Sequence, residues 1–250
     1  MTKYFIIAAL VILSVVVLTA CTTRPVVLGE KKTYDISSDI HSLEVEINAA
    51  EFTIVEGDKF SAESNLKNLS VTEENGVLRI VDKTKISGNY ANATLKLCIP
   101  KNTTFEKADI KTGASKLNAD YFSANTLKLK TGAGRVAFDY LEVLTDISVK
   151  GGAGEIVVKD GSLNNLALDL GVGKLELTSK LLGNSNLKFG VGQSDITLLG
   201  GKDDYKFNVE NGVGNITIDG ASSAFYANSG NGENKVNIKG GVGTTNISFQ

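Results

Sequence analysis

The sequence predicts an all-β protein built as a single-stranded β-solenoid, a β-helix or β-roll whose coils are about 20 residues long. Three observations predict it. A Gly-Ala/Val-Gly tripeptide recurs through the second half at near-constant spacing, apolar residues alternate with polar ones on either side of it, and no dozen-residue window past the leader has a helical period. The crossover rule for parallel strands makes the expected coil right-handed.

Residues 1–20 are set apart from that fold. Lys3 gives a short basic start, residues 4–17 are almost wholly apolar, and Leu18-Thr19-Ala20-Cys21 closes the segment with small residues before a cysteine. This resembles a bacterial lipoprotein signal, in which the Cys21 thiol is acylated and becomes the new N-terminus. The other reading is an uncleaved anchor, for which about 17 apolar residues are short, since spanning takes about 20. Residues 21–34 then mix Pro, Gly and charges without period and read as a tether between lipid and domain.

The domain is expected over residues 35–250. Over 35–105 it reads as irregular strands: Leu43-Glu44-Val45-Glu46-Ile47, Phe52-Thr53-Ile54-Val55 and Val77-Leu78-Arg79-Ile80-Val81 alternate strictly, and Asn75-Gly76 signals a hairpin. Leu95, Leu97 and Ile99 share one strand face and Cys98 takes the other. With Cys21 acylated, Cys98 has no intramolecular partner. No His or Arg stands near it in sequence to make it a nucleophile, so it reads as a small buried or half-buried residue.

Residues 106–250 carry the repeat. The tripeptide starts at Gly132, Gly152, Gly171, Gly190, Gly212 and Gly241, with Gly113-Ala114-Ser115 as a degenerate first copy, and the spacings run 19, 20, 19, 19, 22 and 29. Three residues before the first glycine stand Leu129, Val149, Leu168, Leu187, Val209 and Ile238, all expected inward. Two before it stand Lys130, Lys150, Asp169, Lys188, Glu210 and Lys239, all expected outward. In chain order the last five would stack as a column of alternating sign.

After the tripeptide, apolar positions resume at Val136, Ile156, Leu175 and Ile216. In the Gly190 and Gly241 copies they resume two residues later, at Ile196 and Ile247. Counting through the tripeptide, its middle Ala or Val and the apolar residue three places on both belong inside, so one extra residue is absorbed there. Glycine permits that slip through φ > 0 and close backbone approach. The unit therefore reads strand, corner, strand, turn.

Composition and spacing exclude several chemistries. No tripeptide extends to G-x-G-x-x-G, no phosphate loop ends in Gly-Lys-Ser/Thr, and the nine-residue period of calcium-binding coils is missing. With 26 Gly, one His and no Trp, the chain lacks the usual means of acid–base catalysis and sugar stacking. No cofactor or metal site is expected. His41 reads as a surface or strand-end residue, Tyr205 and Phe207 as core, and Asp203-Asp204 as a solvated turn. Removing the leader takes Lys3 from 26 basic side chains and leaves 25 against 28 acidic ones, a charge near −3. Such a balance argues against nucleic acid as partner.

The lipoprotein-type leader, the alternating N-terminal strands, the LCIP strand end and the G-A/V-G repeats together resemble the bacterial "putative adhesin" domains of unknown function, with head GIN domains as neighbours. The likeness covers roughly residues 42–250. It implies a non-enzymatic β-solenoid at the cell envelope and supplies no functional residue, leaving Cys21 as the one assignable site, for lipid. The expected partners are the membrane through that anchor and a surface protein or glycan. Self-association is expected through the solenoid end, where the strand-like residues 246–250 would leave an open edge. A regulatory lipoprotein that binds a membrane protein, and a polysaccharide-binding or -cleaving β-helix, are the alternatives.

Overall fold

The computed structural model describes residues 28–84, 91–222 and 232–250. Cys21, the leader and the first half of the tether, residues 21–27, lie outside them. Strand β1 (Lys32–Asp35) already takes in the last residues expected as tether, and Leu28 packs against the core.

Each coil is made of strands whose inward residues alternate as the sequence predicts. In β2 (Ser42–Ile47) Leu43, Val45 and Ile47 are buried, and in β3 (Glu51–Gly57) Phe52 and Ile54 are buried. After β4 (Ser61–Ser64), β5 (Leu69–Glu74) and β6 (Val77–Asp82) form the expected hairpin. Asn75 (φ 50°) and Gly76 (φ 71°) both take the left-handed values that a two-residue turn of this kind needs. Next come β7 (Thr94–Pro100), β8 (Thr104–Thr112) and the long β9 (Lys116–Val158), which runs unbroken through two glycine corners. Strands β10 (Gly161–Asn164), β11 (Leu166–Leu182) and β12 (Asn184–Leu198) continue the stack. A 3-10 turn (Lys202–Asp204) leads to β13 (Tyr205–Glu210), β14 (Val213–Ile218), β15 (Ala221–Ser222), β16 (Asn234–Lys239) and β17 (Val242–Phe249).

Register shows the order of coils in space, and it differs from chain order at both ends. The first coil, β2–β3, lies between β6–β7 and β8–β9, parallel to both. The last coil, β16–β17, lies between β12 and β13–β14, again parallel to both. The C-terminal strand is thus paired on both sides. The expectation that residues 246–250 form an open edge is wrong; on this side of the stack the outermost coil is β13–β14.

Antiparallel strands finish the opposite end. β5 adds to β6, β4 adds to β7, and β1 adds to β4. These are short and carry exposed charges, including the Lys59–Asp35 and Lys31–Glu63 pairs, both at 2.8 Å, and such an edge is a poor template for another chain.

The core is one continuous apolar column. Phe60, Phe105, Phe122 and Phe138 stack along it with centroids 6.2, 5.6 and 6.1 Å apart. At the far end Tyr205 and Phe207 are buried against Phe249, as expected of core residues, and the Tyr205 hydroxyl donates to the Leu199 carbonyl at 2.7 Å.

Candidate interaction surface

The surface of interest is built by the glycine corner. Both glycines of each tripeptide aim their Cα hydrogens at the backbone of the neighbouring coil, so that a Cβ on Gly171 would run into the Gly152 carbonyl and one on Gly173 into the Gly154 carbonyl. Gly173 also sits at φ 148°, a conformation that side chains disfavour. With both glycines committed to the stack, the residue between them is turned out to solvent.

That corrects the sequence reading, which placed the middle residue inside. Val172, Val191, Val242 and Val213 are 56, 50, 50 and 78% exposed. The parity slip is real, but it is absorbed by the outward turn of this residue. The residue before the first glycine, Leu170 or Phe189, half-buries itself against the core instead.

Register lines these residues up. Ala153 pairs with Val172, Val172 with Val191, Val191 with Val242, and Val242 with Val213. Ala133 is exposed at the preceding corner. The result is a single-file apolar ridge along the solenoid axis, about 24 Å long over five coil spacings of about 4.8 Å.

Two polar columns border it. On one side stand Lys150, Asp169, Lys188, Lys239 and Glu210 in that spatial order. The expected alternation of sign therefore fails at Lys188 and Lys239, because the inserted last coil brings two lysines together; Lys239 pairs with Glu210 at 3.2 Å. On the other side Arg135 donates to Glu155 at 2.7 Å, Lys174 bonds Glu176, and Gln193 donates to Asp195 at 2.7 Å.

The two copies whose apolar residues resumed late are explained here too. Ser194 and Thr245 fill the first inward slot, each 5% exposed, and they stack directly on one another. No strand shift occurs; a polar residue occupies the slot.

Elsewhere the chemistry is structural. His41 is half exposed, with Nδ1 3.3 Å from Glu106 Oε2. Asp204 accepts from the Gly201 amide at 2.8 Å within an exposed turn, and Cys98 is half-buried on the outward face of β7. Tyr121 and Tyr140 stack at 5.3 Å with rings nearly parallel, and burial together with Glu142 pushes the Tyr140 hydroxyl up from its ordinary pKa. Arg79 Nε donates to Glu44 at 2.8 Å and holds that carboxyl below its ordinary value. Among the described residues no three His, Cys, Asp or Glu side chains gather as a metal site, and no helix is long and apolar enough to cross a membrane.

Residues 33–246 match the family model described as Toastrack DUF4097. The chain belongs to this family. The Toastrack fold is a β-solenoid-like fold, in keeping with the parallel coils described above. Among solved structures, the chain is similar to a "putative adhesin" from Parabacteroides distasonis ATCC 8503, at 14% identity over 89% of this chain and 98% of that one, with a TM-score of 0.44. It is similar to a "putative adhesin" from Bacteroides fragilis NCTC 9343, at 11% identity over 87% and 95%, TM-score 0.41. A "putative cell adhesion protein" from Clostridium sporogenes ATCC 15579 shares 15% identity over 88% and 99%, TM-score 0.38. No curated protein matches this Toastrack chain.

Proposed function

We propose that the protein is a non-enzymatic scaffold of the cell envelope, anchored by lipid at Cys21, that presents its glycine-corner ridge to a partner on a surface. The observation that carries this reading is the alignment of Val172, Val191, Val242 and Val213 in one exposed file. A corner needs glycine on both sides of that position and nothing apolar between. What supports the reading is the order of these residues rather than their area: register holds the valines in one file along the stack instead of scattering them over it. The leader supports the anchor, and the family supports a scaffold over an enzyme.

The test is binding of the purified chain to cell-wall and matrix preparations and to itself. Replacing Val172 and Val191 together with serine is expected to weaken the retained interaction at least tenfold. Folding stability should stay within about 0.5 kcal/mol per substitution, as for other exposed positions. A strictly monomeric protein that binds none of these preparations contradicts the reading.

A further inference from the structure

The column beside the ridge is basic and largely unpaired. Lys130, Lys150 and Lys188 have no ion-pair partner within 4.0 Å among the described residues, while the Lys239 ammonium shares Glu210. In this column Lys130, Lys150, Lys188 and Lys239 stand against Asp169 and Glu210, whereas on the other border Arg135 and Lys174 are each paired, with Glu155 and Glu176. This excess of positive charge lies on a chain whose formal net charge is −2.

We infer that the ridge seats on an anionic lipid bilayer, the valine methyls entering the boundary between headgroups and acyl chains while the flanking lysines reach lipid phosphates. The inference rests on the reading of the ridge as the contact surface and names its partner. An apolar file bordered by long cationic side chains is the chemistry of an interfacial contact: the apolar part is buried a few ångströms deep, and lysines lay their stems along it and keep their charges at the headgroups. Each lysine near an anionic leaflet adds attraction that a neutral surface cannot supply.

Size favours lipid over a second copy of the chain. A ridge one residue wide and about 24 Å long offers on the order of 200 Å², whereas a stable protein interface takes about 800 Å² from each partner. A bilayer needs no complementary groove. It accepts a narrow ridge, and the parallel register holds these residues in single file.

The chain has no Trp, so one indole reports on the ridge alone. Val191→Trp is made in the full chain, with Lys180→Trp on an exposed position away from the ridge as the control. Both are reconstituted in vesicles of pure phosphatidylcholine and of phosphatidylcholine with phosphatidylglycerol. The expected result is a blue-shifted emission at position 191, quenched by bromine-labelled lipid, in the phosphatidylglycerol vesicles only, with the control unmoved in both. Lys150→Ala and Lys188→Ala should each lower the lipid-quenched fraction's apparent binding constant about fivefold. A reporter at 191 that stays water-exposed in both vesicles overturns the proposal. A shift that follows protein density and ignores phosphatidylglycerol overturns it in favour of a second copy, and leaves the contact-surface reading standing.

Discussion

Gly173→Val is expected to unfold the middle of the stack. A β-branched residue cannot hold φ 148° without strain of about 1–3 kcal/mol, and its Cβ would overlap the Gly154 carbonyl, which sits in the next coil's backbone and cannot yield by rotating a side chain. Relief requires the coils to part, and parting opens the ladder in which Gly173 pairs with Gly154 on one side and Gly192 on the other. The total should exceed about 4 kcal/mol, a large share of the 5–15 kcal/mol that holds a typical domain together. Urea unfolding of Gly173→Val beside Val172→Ser separates two neighbouring positions that differ only in where they point. Equal midpoints for the two would show the corner geometry to be wrong.

A stop codon after Ser222 is the second large effect. In a solenoid whose chain order matched its spatial order, removing the last coil would leave the others paired as before, since each repeat touches only its neighbours. Here the deleted strands β16 and β17 are the inner partners of β13 and β14, and they carry the buried residues Val236, Ile238 and Ile247. The truncated chain is expected to lose two coils: hydrogen exchange should find Tyr205–Glu210 and Val213–Ile218 unprotected, while β11 and the body of β9 keep their protection. Retained protection over β13 and β14 would mean that they pair with β12 directly.

Much of this architecture was legible in residues. The inward and outward sets around each tripeptide, the hairpin at Asn75-Gly76 and the burial of Tyr205 and Phe207 follow from parity and turn chemistry, which are local. Two features were not. The direction of the middle residue depends on what lies across the corner, and only the neighbouring carbonyls decide it. The order of coils depends on which equivalent strand meets which, and a repeat makes its copies nearly interchangeable as partners.

Even so, the order left traces. The spacings of 22 and 29 break the run of 19 and 20 where the chain passes its neighbour and returns. The copies at Gly190 and Gly241 share a polar residue in the first inward slot, Ser194 and Thr245, and those are the two copies that stack. Asp219-Gly220, with φ 51° and 74°, forms a second tight hairpin between β14 and β15 and had the same signature as Asn75-Gly76. The ridge itself is present in the sequence as a row of valines, which parity alone assigns to the core. Its meaning as a surface came only with the glycine stack.

The continuity of the ridge rests on the last coil lying between its two predecessors, and a pair of cysteines tests that directly. Thr197 and Ser248 are register partners with hydroxyls 3.3 Å apart, and neighbouring strands bring Cα atoms within the range a disulfide spans. Thr197→Cys with Ser248→Cys is expected to close a disulfide rapidly and quantitatively under mild oxidation. Thr197→Cys with Asp219→Cys, which chain order would make neighbours, is expected to stay reduced. The reverse outcome would place β13–β14 against β12 and contradict the ridge as described.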